Sequence, residues 1–165
     1  MSSPAFPPLH RSLSRLLEEL AGGSPSDTCF VLNPNDPGLL ASLDRLSAEA
    51  ASRPAPAGGA SIAAHVDHLR YSFELLNRWS RDQDAFADAD FSASWRRGTV
   101  TPDEWLARLT ALRQEIEQWR QVVATPRELT SVELTGLIAA VVHLAYHLGA
   151  IRQIDPSLQG PKAAD

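Results

Sequence analysis

Two histidines of the sequence, His143 and His147, stand four residues apart in a segment with helical periodicity. This spacing places both imidazoles on one face of a helix, with Cβ atoms roughly 5–6 Å apart. Two imidazoles at this separation can bind one metal ion, as the paired histidines of metalloproteases do. The segment is apolar on nearly every side, so the pair is predicted to be buried, which is costly unless something binds it. A pair of histidines held only by hydrogen bonds is the alternative.

A third ligand is expected from His65 or His68, which share a second helical segment. At 100° per residue, His65 falls within the apolar stripe of that segment and His68 lies on its flank. The periodicity favours His65 slightly and leaves both open. Three imidazoles leave a coordination position free, which is typical of catalytic rather than structural zinc sites. The expected cofactor is a divalent transition metal, namely Zn, Ni, Fe or Mn.

The elements that must position these histidines are predicted to be helices, because no segment alternates with period two. A short helix over residues 9–20 ends at Gly22-Gly23, and residues 82–100 have no clean period and form a long connection. Four long helices begin at N-cap signals, which are Asp36-Pro37, Ser61 and capping boxes at 101–104 and 130–133. The prediction is an all-α protein: a four-helix bundle (36–165) after an N-terminal extension (1–35), together one compact domain.

Composition and charge limit the class of protein further. The 165 residues, 44% apolar and 21% charged, suffice for one domain with a hydrophobic core. The net charge of −5 and the absence of a Lys/Arg cluster argue against a nucleic-acid partner. The apolar run 137–151 is shorter than the roughly 18–20 residues of a membrane span. A single cysteine and no apparent signal peptide predict a cytoplasmic protein.

Two segments of the sequence resemble the DinB-like superfamily, the DNA-damage-inducible helical bundles that include bacillithiol-transferase-like proteins. They are SIAAHVDHLRY at 61–71 and HLAYHLGAIRQ at 143–153. The resemblance covers about residues 36–154 and implies a four-helix bundle with a long crossover connection, which suits residues 82–100. It also implies a homodimer. Its metal ligands correspond to His68, which Leu69 follows, and to His143 and His147, whereas His65 remains a neighbouring or alternative ligand.

The resemblance further implies a metal-dependent enzyme that transfers a low-molecular-weight thiol to an electrophile, with a small molecule as partner. A related metal-assisted hydrolase belongs to the same class of chemistry. The alternative is a non-catalytic metal-binding bundle that acts as a structural or binding dimer. A bundle without any metal is a third interpretation.

Four further residues have side chains that could act at this site. Arg152 is predicted to bind a carboxylate of a thiol cofactor, or else to interact with the C-terminal end of its helix. Asp67 and Tyr146 neighbour the ligands in sequence, but their helical angles favour a solvated carboxylate and a packed ring. Cys29 has no partnered base in sequence, so an incidental thiol is the better interpretation.

Overall fold

The computed structural model describes residues 6–24 and 28–162, and every regular element in this part of the chain is a helix. The all-α fold predicted from the sequence is therefore confirmed. Two short 3-10 helices, Pro56–Gly58 and Pro156–Leu158, accompany the α-helices. The α-helices are α1 (Phe6–Gly22), α2 (Gly38–Leu43), α3 (Ala48–Ser52), α4 (Ile62–Trp79), α5 (Phe91–Arg96), α6 (Pro102–Ala124) and α7 (Ser131–Ile154).

The bundle consists of α1, α4, α6 and α7. Helices α6 and α7 each pack against both α1 and α4, which closes a ring of four. The sequence predicts a short N-terminal helix outside the bundle, and the structure corrects this, because α1 is 17 residues long and belongs to the ring. The reason is its apolar stripe: Leu13, Leu17 and Leu20 are at most 6% exposed and need the bundle core to cover them.

The long helix predicted after residue 36 is also corrected, since two short helices, α2 and α3, take its place. They have six and five residues. Ser47 separates them, because its hydroxyl accepts a hydrogen bond from the backbone N–H of Ala50 at 3.1 Å and so starts a new helix. The predicted domain boundary at residue 36 stays a prediction.

The remaining start signals lie where the sequence predicts them. The hydroxyl of Ser61 accepts a hydrogen bond from the N–H of Ala64 and begins α4. Complete capping boxes begin α6 and α7, with the Glu side chain accepting from the N-cap N–H at 2.7 Å and 2.8 Å respectively. Three of the four bundle helices are thus fixed in register by local hydrogen bonds.

The hydrophobic core lies between the four bundle helices, and the apolar stripes predicted for α4 and α6 face it. Trp119 of α6 and Phe73 of α4 are its largest fully buried side chains. Leu17 of α1 and Leu144 of α7 are also fully buried, so all four helices contribute. Because such cores pack at crystal-like density, α4 and α7 have a fixed spacing and rotation relative to each other.

The connection over residues 82–100 contains a helix that the sequence analysis missed. Asp90 begins α5, with its carboxylate accepting from the N–H groups of Ser92 and Ala93. The helix has six residues, too few to show a hydrophobic period, and it packs against α4. The only local signal for it is the aspartate N-cap.

Asp36 does not act as the predicted N-cap of a helix with Pro37 at its first position. Helix α2 begins one residue later, at Gly38, whose N–H donates to the Asp36 carboxylate at 2.8 Å. The same carboxylate, buried, accepts two hydrogen bonds from Arg152 of α7, at 3.0 Å and 2.6 Å. This bidentate ion pair joins the start of α2 to the end of α7.

Replacing Asp36 by alanine is expected to lower the free energy of unfolding by about 3–5 kcal/mol, since it leaves the guanidinium of Arg152, whose side chain is only 14% exposed, without its partner. Asp44→Ala is the matched control, because it breaks a solvent-exposed pair with Arg113 and should cost only about 0–1 kcal/mol. Urea unfolding of both variants measures the difference. Equal losses in the two variants would show that the Asp36–Arg152 pair has no special role.

Candidate metal centre

Three histidines from two bundle helices meet at one point. His68 lies on α4, and His143 and His147 lie one turn apart on α7. The Nε2 atom of His143 is 3.2 Å from Nε2 of His68 and 2.9 Å from Nε2 of His147. The ligand nitrogens of all three lie within 4.8 Å of one another. These histidines could hold a metal ion.

The donor set itself fits a cation at this point. A neutral imidazole nitrogen carries either one hydrogen or one lone pair. His143 Nε2 can therefore make one good hydrogen bond, yet it faces the Nε2 atoms of both neighbours. An ion that accepts all three lone pairs removes this conflict. Nitrogens bound to tetrahedral Zn²⁺ at about 2.0–2.1 Å are about 3.3 Å apart, close to the separations found here.

The outer nitrogens of two of these rings have partners of their own. His68 Nδ1 lies 3.3 Å from the hydroxyl of Ser94, and that hydroxyl donates to the carbonyl of Phe91 at 2.8 Å. His147 Nδ1 lies 2.8 Å from Nδ1 of His65. His65 thus stands behind His147, while His68 directs Nε2 at His143. The resemblance implies His68 as the third ligand, with His65 as the alternative, and this assignment stays a prediction.

Helix α5 supplies residues of the site that the sequence analysis missed. The ring of Trp95 stacks on His68, with centroids 4.5 Å apart, and meets His65 edge-on at 5.2 Å. Phe91 contacts His68 from another side, at 5.7 Å. These aromatic rings form one wall of the histidine cluster. No sequence period could reveal them, because only the fold brings residues 91–95 against α4.

A sequence profile of the DinB superfamily matches residues 37–151. The chain belongs to the DinB superfamily. The matched region includes all three histidines, the whole of α4 and α7 as far as residue 151, and it confirms the resemblance to this superfamily. No curated protein and no solved structure matches the chain.

In this DinB-superfamily protein the two sequence neighbours of the histidines behave opposite to expectation. Asp67, expected to be solvated, is buried and accepts hydrogen bonds from Arg97 at 2.6 Å and Arg70 at 3.2 Å. The burial of this carboxylate is compensated by arginines from three parts of the chain. Arg70 lies on α4, Arg97 follows α5, and Nε of Arg108 on α6 is 4.0 Å away. Tyr146, expected to be packed, is 67% exposed and rests its ring edge against His147.

The ion pair of Asp67 with Arg97 connects the site to the chain beyond α5. Arg97 immediately follows the last residue of α5, and its side chain reaches back to α4. The pair therefore holds α5 against α4, with Ser94 and Trp95 over His68. Asp67 has this positioning role although its hydrogen bonds go to arginines and not to the histidines.

The other predicted residues lie in different surroundings. Arg152 of the DinB-superfamily chain directs its guanidinium at Asp36, and its Nε is buried without a partner among the described residues. That Arg152 binds a carboxylate of a thiol cofactor stays a prediction. For this to happen, the ion pair between Arg152 and Asp36 would have to break. Cys29 is a free, half-buried thiol in an irregular segment, in line with an incidental role.

Burial lowers the pKa of all four clustered histidines below the ordinary value of 6.5. It lowers the pKa of His68 to about 4, and repulsion from His143 adds to the effect. It lowers the pKa of His147 to about 3, with repulsion from the same ring as the second cause. At neutral pH the rings are therefore uncharged, which is the form that binds metals.

Acidification of the metal-free protein from pH 6.5 toward 4 is expected to lower its free energy of unfolding. Histidines of the unfolded chain take up protons near their ordinary pKa of 6.5, whereas His68 does so only near 4. The unfolded state binds more protons in this window, so stability is present above it and is lost as the pH falls. Each such histidine contributes a slope of at most about 1.4 kcal/mol per pH unit.

Urea unfolding with EDTA at several pH values measures this slope. His147→Gln is the control, because it removes the histidine with the most strongly lowered pKa and should flatten the dependence. An identical slope in the wild type and in this variant would contradict the assignment.

Proposed function

We propose that this DinB-superfamily protein binds one divalent transition metal through the Nε2 atoms of His68, His143 and His147. The convergence of these three atoms from two rigidly packed helices carries the proposal. Two further observations support it. The three imidazole rings are uncharged at neutral pH, and Nε2 of His143 cannot form a good hydrogen bond with both of the nitrogens that it faces. The choice among Zn, Ni, Fe and Mn is left to measurement, because imidazole ligands suit several of these ions.

The activity that we propose is the transfer of a low-molecular-weight thiol to an electrophilic small molecule. A bound divalent ion lowers the pKa of a coordinated thiol and so supplies thiolate at neutral pH. Three protein ligands leave a position for it. The thiol gives its proton to solvent, and its sulfur forms a bond to an electrophilic carbon of the substrate. The leaving group departs with the electron pair of the broken bond and takes a proton from water.

The protein's own residues would position this reaction and limit access of water to it. Trp95 and Phe91 form an apolar wall beside His68, and Trp95 is still 38% exposed, so part of its ring can contact a ligand. Apolar side chains on one side of the site lower the local dielectric constant and so strengthen electrostatic interactions at the reacting atoms. We place the activity in the cytoplasm, where low-molecular-weight thiols are kept reduced.

Protein purified without a polyhistidine tag or chelators is expected to contain close to one equivalent of a transition metal. Ala substitutions at both His143 and His147 should abolish it, because two of three ligands are lost. His10→Gln is the matched control: His10 is buried but bonds to the carbonyl of Val123, away from the cluster. Elemental analysis gives the metal content, and a cobalt-loaded sample should gain a sulfur-to-cobalt absorption band when a thiol is added.

The possible results separate the proposals. Metal in equal amounts in the wild type and the double variant would overturn the site. Metal bound by the site without any thiol band would favour the alternative function, a non-catalytic metal-binding bundle. No bound metal, and no rise in melting temperature on adding Zn²⁺, Ni²⁺ or Mn²⁺, would overturn metal binding altogether.

We also propose that the protein is a homodimer that pairs through the outer face of α7. Ile138, Val142 and Tyr146 lie exposed on this face, and α7 has no charged side chain between residues 134 and 151. An outer helix face in a monomer normally carries charges. Helix α7 is also long and apolar enough to cross a membrane. This is weak evidence for a membrane span, because core helices of soluble proteins have the same length and composition. In a two-fold dimer the same face of both copies meets, and an apolar face without charges can pack against its own copy. The net charge of −5 makes two copies repel each other at their other, charged surfaces.

Val142→Glu is expected to convert the dimer to a monomer, because it places two carboxylates in the paired apolar face. Leu106→Glu is the matched control, since Leu106 is equally exposed, at 66% against 60%, but lies on α6. Light scattering after size exclusion gives the mass of each variant. A monomeric wild type would contradict the proposal. If that monomer also binds lipid vesicles, the exposed face of α7 contacts a membrane instead of a second copy.

A further inference from the structure

A fourth histidine contacts the cluster without facing its centre. His65 lies on α4, three residues before His68, and its Nδ1 atom is 2.8 Å from Nδ1 of His147. Its ring is half-buried and meets His147 edge-on, with centroids 5.0 Å apart. A separation of 2.8 Å between two ring nitrogens requires that one of them carry a hydrogen and the other a lone pair.

The direction of this hydrogen bond follows from the other nitrogen of His147. Its Nε2 atom points at His143 Nε2, 2.9 Å away, in the centre of the cluster. When this Nε2 accepts a hydrogen bond from His143 or binds an ion, it presents a lone pair, and the neutral ring carries its hydrogen on Nδ1. That hydrogen is donated to His65, whose Nδ1 must then be bare, so the hydrogen of His65 resides on its own Nε2.

We propose that His65 is a positioning residue that fixes the tautomer and ring orientation of His147, keeping Nε2 of His147 free to bind an ion. The tautomer is a property of the metal-free protein, whereas the effect on metal affinity rests on the proposed function. Ser94 accepts in the same way from His68, but at 3.3 Å and through a hydroxyl. His147 is therefore the more firmly oriented of the two rings.

The competing view is that His65 only fills space beside His147 and Trp95. Two substitutions separate the alternatives. His65→Leu keeps a side chain of moderate size but cannot accept a hydrogen bond. His65→Gln retains a side-chain oxygen that can accept from His147 Nδ1. Ring packing is lost in both variants, whereas hydrogen-bond acceptance is lost in only one.

The first measurement is the side-chain ¹⁵N spectrum of the metal-free protein, in which the two neutral tautomers of histidine have distinct shifts. His147 is expected to have its hydrogen on Nδ1 in the wild type and in His65→Gln. It should become a mixture of tautomers in His65→Leu. Titration with Zn²⁺ is then expected to show about 10–100-fold weaker binding for His65→Leu, with most of the affinity retained in His65→Gln. Circular dichroism confirms that each variant is folded.

Three results would overturn the inference: a wild-type His147 with its hydrogen on Nε2, equal Zn²⁺ affinities in the two variants, or loss of cobalt coordination in His65→Gln. The last would make His65 a ligand instead. Failure of the proposed function has a different signature. A wild type that binds no metal, yet has His147 protonated on Nδ1 with a mixture in His65→Leu, would end the metal proposal and leave the role of His65 intact.

Discussion

The structure depends on a conflict among three ring nitrogens that face one another away from bulk water. Each imidazole nitrogen offers a single hydrogen or a single lone pair, so His143 cannot satisfy both of its neighbours at once. Protonation would supply more hydrogens, but burial and mutual repulsion oppose it. The bundle therefore keeps three ring nitrogens aimed at one point, where one hydrogen cannot satisfy all of them and a cation could bind all three.

The rest of the fold maintains that arrangement. The packing of α4 and α7 around Phe73 and Trp119 prevents the two helices from rotating and relieving the conflict. The ion pair between Asp36 and Arg152 fixes the far end of α7 to the segment before α2. The outer nitrogens of His68 and His147 have partners of their own, Ser94 and His65, which limits rotation of these two rings. The three histidines are thus held in place by the packing of the core, by one ion pair and by two side-chain hydrogen bonds.

Much of this could be predicted from local sequence, because local rules govern it. The spacing of His143 and His147, the N-cap at Ser61 and the two capping boxes each involve neighbours within one turn. Contacts between distant segments could not be predicted. Asp67 has the sequence pattern of a solvated residue, and its burial depends on arginines from three parts of the chain that only the fold brings together. Trp95 belongs to a helix that is too short to show a hydrophobic period. Helix α1 begins with Phe6, Pro7 and Pro8, ahead of its first periodic leucine, so the hydrophobic period alone predicts a shorter helix.

The ligands and the wall beside them belong to different parts of the chain. His68, His143 and His147 are set in bundle helices whose other faces form the core, so few substitutions are tolerated around them. Phe91 and Trp95 belong to a six-residue helix inside a connecting segment, where side chains can change without disturbing the bundle. Substitutions in α5 would therefore change what can approach the histidine cluster while the three histidines stay in place. If the proposed function holds, access to the site could be altered through α5 alone.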